Sequence, residues 1–539
     1  MQGPAINIAK EMGLYAIALD GSTSAPCISM ADRFEQIDLK NKEGIEVFAR
    51  SIQGSFDRIG IMTAGTDFSA SVAWVAEKLG LPGIPYEAAL NASDKGRMRE
   101  CFKKANLPSP PFYIITDSST PLNEEQFSFP IVIKPIDNMG SRGCRRVDSA
   151  DEFPQAAKSA IGFSRSGRAI VEAFMDGPEF SVDAIVYKGE VTICGLADRH
   201  IFFPPYFIEM GHTMPTVIDL EKQQAMLDTF CQGIHALGII GKNYIGAAKG
   251  DIKLTANGAM IGEIAARLSG GYMSGWTYPY SSGALPVKAA IQAAMGYELD
   301  CLIQTKKWTC AERAFISIPG TVKQIIGTNE AQETEHVNNF FLRIKEGDKV
   351  AFPENNVTKC GNILASAPDR ETAIKAAETA ARSVLIRLDP ADTETGKFLE
   401  EPHTNFEPKV RKRLKEHGGE DQYFPPDAFV LTDKLLEAFA QLPDNNPVSS
   451  VPPCPCVNSS LHIHPFPEFE DSGLTDYMGR TVKEALEAVY KLTGLSNPPK
   501  NAENVVRLGK SFWAALIRGS YQGAVYYIDN LGEKIGQVK

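Results

Sequence analysis

Three groups of side chains in this sequence have the type and spacing to do chemistry. The first centres on Lys134, which ends the apolar run Ile131-Val132-Ile133 and leads into Gly140-Ser141-Arg142-Gly143. A lysine there is rarely buried without a partner, so it either snorkels at the strand end or faces an anion. Gly140, Ser141 and Gly143 permit backbone conformations in which successive N–H groups converge on one concavity. Arg142, Arg145 and Arg146 add positive charge beside it. An anion is favoured, with a plain Gly-Ser turn as the alternative. The loop is not a P-loop, because no G-x-x-x-x-G-K-[ST] is present.

The second group lies in residues 246–271. Asn257-Gly258 marks a hairpin turn. A three-residue loop of Ala256, Asn257 and Gly258 pairs Thr255 with Ala259 and sets Asp251 opposite Glu263. Directly opposed residues hold their Cβ atoms about 4.5–5.5 Å apart, where like charges destabilise a sheet. Alternation puts Lys249, Asp251 and Lys253 on one face, with Glu263, Ala265 and Arg267 beside them. Ile252, Leu254, Ile264 and Leu268 take the core face. Two facing carboxylates flanked by an arginine predict a divalent cation between them. The alternative, a solvated face with Lys–Glu pairs, does not account for Gly270-Gly271 after Arg267.

The third group is Cys454, Cys456, His462 and His464, which could offer zinc ligands. C-x-C with H-x-H is not a common structural spacing, and the Pro/Ser/Asn content of 443–473 favours a long loop.

The elements that must position these groups belong to an ordinary globular chain of 539 residues, 43% hydrophobic and 22% charged. That length predicts several domains with sizeable cores. A net charge of -11 argues against nucleic acid and anionic membrane partners. No apolar run reaches the length of a membrane span, and the start lacks a signal-peptide pattern. Ten scattered cysteines predict a reducing cytoplasm. Residues 14–20, 34–39 and 58–64 read as strands, and 68–80 as a helix stopped at Gly80, giving a parallel α/β domain. The Gly3-Pro4 turn has no strand before it, so the start of the chain reads as clipped. Ser93 is the expected N-cap of a helix whose apolar stripe is Met98, Cys101, Phe102 and Ala105, with Lys95 in its first turn. A strand follows over 168–174, a hairpin over 180–196 turning at Lys188-Gly189, and a helix over 219–238.

A phosphate-facing lysine and loop, followed about 120 residues later by a two-carboxylate metal site, resembles the ATP-grasp superfamily; the resemblance spans about residues 5–395. It implies an α/β and α+β multidomain protein. The expected divisions are an N-terminal parallel α/β domain (1–92), an ATP-grasp domain (93–308), a small α+β lid (309–395) and a mostly helical extension (396–539). It also implies ATP as substrate with Mg²⁺ or Mn²⁺. Lys95 and Lys134 would hold the phosphates, aided by Ser141. In "VEAFMDGPEFSVD", Glu172 would accept from the adenine amino group, the Ala173–Phe174 backbone would meet the ring edge, and Glu179 would bind the ribose. Asp251 and Glu263 match the metal ligands, and Arg267 the arginine that holds an acyl phosphate.

Within the superfamily, "EMGHTMPT" (209–216) and "EIAARLSGGYMSG" (263–275) are similar to segments of L-amino-acid ligases and related carboxylate–amine ligases. Biotin carboxylase and the carbamoyl phosphate synthetase large subunit are more distant. Ala265 stands where many relatives carry asparagine, a departure the L-amino-acid ligases share. Glu209 and His212 would lie in a Gly/Pro-bounded loop on the acceptor side, and residues 355–368 would form part of a closing surface. The implied reaction joins a small carboxylate to an amine through an acyl phosphate. Ligation to a thiol, ammonia or bicarbonate, or nucleotide binding without turnover in an assembly or regulatory protein, are the alternatives. The apolar C-terminal helices (481–495 and 502–519) predict core or a homo-oligomer interface.

Overall fold

The computed structural model describes residues 2–123, 125–241, 244–400, 425–444, 461–495 and 506–537. They fall into two compact units. The first comprises residues 1–313, 354–356 and 364–377, and the second comprises 314–353, 357–363 and 378–539.

The first unit begins with a helix, Gly3–Glu11, and two parallel strands, β1 (Ile17–Asp20) and β2 (Arg33–Gln36), in register Ile17 to Arg33. The helix Ser69–Leu79 ends as expected at Gly80, which takes the left-handed conformation (φ 67°) of a helix C-cap. The strand expected over 58–64 does not form. That segment runs instead to a single parallel bridge between Ala64 and Leu268, and the Gly65 N–H donates to the Leu268 carbonyl. Gly60 lies so close to the Ala294 carbonyl that a Cβ would be 2.7 Å from it. Contact with residues of another segment has replaced pairing with β1.

Two sheets carry the candidate site. The smaller contains β3 (Phe112–Ile115), β4 (Ile131–Pro135), β5 (Arg145–Val147) and β6 (Ala169–Ala173) in the order β3-β6-β4-β5. Ile131, Ile133, Val147 and Val171 pack on the helix Phe153–Phe163 through Ala156, Ala157 and Ala160. In the larger antiparallel sheet β7 (Glu179–Tyr187), β8 (Glu190–Phe202), β9 (Ile208–Met214), β10 (Ile245–Thr255), β11 (Gly258–Ala265) and β12 (Thr309–Phe315) lie in the order β11-β10-β7-β8-β9-β12. The β7–β8 hairpin turns at Lys188-Gly189, both with positive φ, as its sequence predicted. Beneath the sheet, Ile252, Ile261 and Ile264 meet Phe230 and Ile234 of the helix Leu220–Ala236, and Met98 and Phe102 of the helix Lys95–Lys104. That last helix is capped by Asp94, whose side chain accepts from the Arg97 N–H, rather than by Ser93; Ala105 is its exposed C-cap.

The β10–β11 hairpin reaches the expected facing pair by a different route. Its turn is the two residues Ala256-Asn257, so Thr255 pairs with Gly258 and Leu254 with Ala259. Gly262 is then an extra residue, a bulge between the Ile252–Ile261 and Asp251–Glu263 pairs. A shorter turn and one bulged residue cancel, and Asp251 faces Glu263 after all.

The second unit has its own cores. Val322, Ile386 and Leu388, from the antiparallel strands Gly320–Ile326 and Leu385–Leu388, share one with Ala515 and Tyr526, which lie either side of the break at Ser520 in the C-terminal helical segment Lys510–Gln537. Another gathers Phe429, Phe466, Phe469, Phe512 and Trp513. Val482, Ala485, Leu486 and Val489 of the helix Val482–Thr493 are buried within the chain's own core. His462 lies on the strand Leu461–Ile463, with His464 just beyond it; Cys454 and Cys456 lie outside the described residues, as does the supposed four-ligand cluster.

Candidate active site

A cleft in the first unit is lined from one side by Lys134, Gly140, Ser141, Arg142 and Glu172, and from the other by Glu179, Arg199, Asp251, Lys253 and Glu263, with Lys95 between. Five cationic side chains and four carboxylates line it, an arrangement suited to a polyanion accompanied by a cation.

Lys134 is explained by Glu172. Its Nζ lies 2.7 Å from one carboxylate oxygen, while Arg99 Nε donates to the other at 2.7 Å. Arg99 also donates to the carbonyls of Ile261 (3.0 Å) and Gly262 (2.7 Å), fastening the bulge that aligns Glu263. Burial alone would raise the Glu172 carboxyl, but Arg99 and Lys134 outweigh it and hold it at about 2. Arg99 was missed in the sequence, though it lies one turn after Lys95 on the same helix, a spacing that places both on one side. Lys95 donates to the Asn138 carbonyl at 2.9 Å and lies 3.4 Å from Glu263.

The hinge expected over Glu172–Phe174 needs correction. The Glu172 carboxylate is engaged by two cations, and the N–H groups of Ala173 and Phe174 donate to the carbonyls of Pro111 (3.1 Å) and Pro130 (3.3 Å). The next residue along, Met175, also lines the cleft. The Phe174 ring stacks with Phe207, centroids 6.5 Å apart, under the Arg146 guanidinium at 4.7 Å.

Glu263 is held at about 2 because Lys95, Lys249, Lys134 and Arg267 outweigh the effect of its burial. Asp251 pairs with Arg199 at 2.8 Å, bonds Ser181 Oγ at 3.1 Å, and pairs with Lys249. Two carboxylates, hard oxygen donors on opposed strands, fit a small divalent cation. Arg267 is buried; one terminal nitrogen donates to the Leu268 carbonyl at 3.0 Å, and its Nε has no partner. The loop after it is fixed by Asp183, which accepts from the Ser269 N–H at 3.0 Å and from the Ser269 hydroxyl.

Glu209 and His212 do not lie in a loop; both are on β9, buried along its length. Three residues apart on a strand, they would point to opposite faces. Met210 is a bulge, since Arg199 pairs with His212 but Ile201 with Glu209, and the extra residue returns both to one face. Cross-strand pairing then aligns Lys253, Glu179, Arg199, His212 and Glu312 in one row over β10, β7, β8, β9 and β12. Arg199 pairs with Glu179, Glu209 and Asp251. His212 Nδ1 lies 2.6 Å from Glu312, and Nε2 lies 3.5 Å from Glu209. Burial disfavours the imidazolium, but the two carboxylates prevail and raise its pKa to about 9. Glu209 thus neutralises two adjoining cations, Arg199 and His212, which the bulge allows it to reach. Neither Glu312 nor Asn356, whose side chain accepts from the Glu209 N–H at 2.7 Å, carried a local sequence signal, because their partners are 100 or more residues away.

The ATP-grasp domain family matches residues 127–274, and the family described as L-amino acid ligase C-terminal domain 2 matches 314–389. Among solved structures, an L-amino acid ligase from Bacillus licheniformis aligns with a TM-score of 0.64 and 21% identity, over 72% of this chain and 96% of its own. A D-alanine–D-alanine ligase of Pseudomonas putida is 26% identical over 250 residues, 43% of this chain and 77% of that protein. The ATP-grasp enzyme fsqD of Aspergillus fumigatus is 31% identical over 194 residues, 33% of each chain.

Proposed function

This chain belongs to the ATP-grasp superfamily, and from that premise we propose that it is an ADP-forming ligase that activates a small carboxylate as an acyl phosphate and joins it to an amine. The observation that carries this reading is the carboxylate pair Asp251 and Glu263, facing each other across a bulged hairpin at a cleft that also presents Lys95 and Lys134.

In this reading the phosphates of ATP lie between the two sheets, against Lys95, Lys134 and the backbone N–H groups of the Gly140–Ser141 loop. The adenine edge meets the Met175 N–H, and the ribose hydroxyls meet Glu179. Asp251 and Glu263 would hold Mg²⁺, or Mn²⁺, which has the same preference for oxygen ligands. Such an ion would supply neutralisation of phosphate charge there. The substrate carboxylate attacks the γ-phosphorus and ADP leaves; the amine then attacks the acyl carbon and phosphate departs. Arg267, with a free Nε aimed at no protein group, stabilises the acyl phosphate and the oxyanion of its adduct. Glu209 and His212 line the acceptor side. Positioning and electrostatics carry the catalysis, as in other phosphoryl transfers.

No helix among the described residues is long and apolar enough to cross a membrane, and the eight described cysteines are all free. The proposed activity, which draws on ATP and acts on small molecules, is assigned to the cytoplasm. Release of ADP from ATP and Mg²⁺ against pooled carboxylic acids and amines tests the reading. Turnover is expected only when both pools are present. Calorimetry showing no ATP binding with Mg²⁺ would overturn it.

A further inference from the structure

Asn356 lies more than 140 residues beyond the strand it touches, yet it makes three hydrogen bonds to two separate parts of the site. Its backbone N–H donates to the Gly140 carbonyl at 3.0 Å, and its Nδ2 donates to Ser141 Oγ at 3.2 Å. Its Oδ1 accepts from the Glu209 N–H at 2.7 Å. All four residues belong to the first unit. On one side it grips the cleft loop, where Gly140 (φ 69°) and Ser141 (φ 59°) are both left-handed. For serine that conformation is unfavourable, so it persists where surrounding contacts fix it. On the other side it holds the residue next to the Met210 bulge, on which the shared face of Glu209 and His212 depends.

We propose that Asn356 is a positioning residue that couples the two halves of the reaction. By bonding the cleft loop and β9 with one carboxamide, it transmits occupancy of the loop by a nucleotide to Glu209 on the acceptor side. The proposal rests on the nucleotide reading above. A carboxamide suits the role because it offers a donor and an acceptor from one planar group. The neighbouring Glu354, beside Tyr206 and Arg145, further ties this short segment to the same region.

Hydrogen–deuterium exchange with Mg²⁺ and a non-hydrolysable ATP analogue tests it. In the wild-type chain the analogue should slow exchange in both 138–146 and 206–214. In Asn356→Ala the analogue should still protect 138–146, bind roughly three- to tenfold more weakly, and leave 206–214 unchanged. Asn356→Asp still accepts from the Glu209 N–H and can take the Ser141 hydroxyl proton, so 206–214 should respond again. Its negative charge beside the loop should weaken nucleotide binding. A response of 206–214 that persists in Asn356→Ala, or that is missing in the wild type while 138–146 responds, would overturn the proposal. No protection anywhere in the wild type would overturn the nucleotide reading and this inference with it. Should Asn356→Ala fail to fold, Asn356→Asp decides alone: a retained response supports the coupling, and a lost one refutes it.

Discussion

Glu172 and His212 are buried ionised groups of opposite sign, and each is held charged by two partners. For Glu172 the folded carboxyl stays near 2 against an ordinary 4.5, so its contribution is present above about pH 4.5 and lost as pH falls toward 2. His212 is displaced the other way, from 6.5 to about 9, so its contribution is complete below pH 6.5 and lost as pH rises through 9. Together they predict greatest stability between about pH 4.5 and 6.5 for the part of the chain they hold. Each limb is on the order of 2–3 kcal/mol. Calorimetric melting across pH should show the alkaline limb, and Glu312→Gln, which removes one of the two carboxylates, should move it to lower pH. A flat profile from pH 6.5 to 9 in the wild-type chain would contradict the charged His212.

On the proposed reading, the hairpin of β10 and β11 is the element on which the chemistry depends. Glu263→Gln keeps the size of the side chain and the core face of Ile252, Ile261 and Ile264, so folding should be preserved. On the proposed reading it removes a metal-ligand charge, and ADP release should fall by at least about a hundredfold, the scale of about 3 kcal/mol of transition-state stabilisation. A variant that unfolds instead would make Glu263 a structural residue. This hairpin also marks how far the sequence could be read. Alternation along Lys249–Lys253 and Glu263–Arg267 is a local property, so the polar face and the facing acids were legible. The turn length was misjudged, and only the Gly262 bulge, fastened by Arg99 from another helix, restored the alignment. On β9 the same blindness had the opposite effect. Bounded by Gly and Pro, Glu209 and His212 read as a loop, and the bulge that brings them to one face of β9 answers to cross-strand partners that periodicity does not record. In the expected hinge, Pro111 and Pro130 take up the N–H groups of Ala173 and Phe174 from outside it, which no local pattern records.

At the scale of the whole chain, the C-terminal segment is bound into the second unit as a partner in its core. Gln522 donates to Ser317 Oγ and the Ile386 carbonyl and accepts from the Ile318 N–H, while Arg387 holds Asp529 at 2.6 and 2.7 Å. Deleting 396–539 would leave those groups unpaired, at roughly 1 kcal/mol or more each, and uncover the apolar side chains packed on Ala515 and Tyr526. The shortened chain should aggregate or melt well below the intact one; equal melting temperatures would show the segment to be dispensable. The row Lys253–Glu179–Arg199–His212–Glu312 has a consequence of another kind, for how such a molecule can diverge. Each charge in it is compensated from a neighbouring strand, so a lineage that alters one member inherits an uncompensated ion until a second site changes too. Divergence toward a new acceptor is then expected to proceed by paired replacements across strands, and an engineer altering Glu209 would do well to alter Arg199 or His212 in the same step.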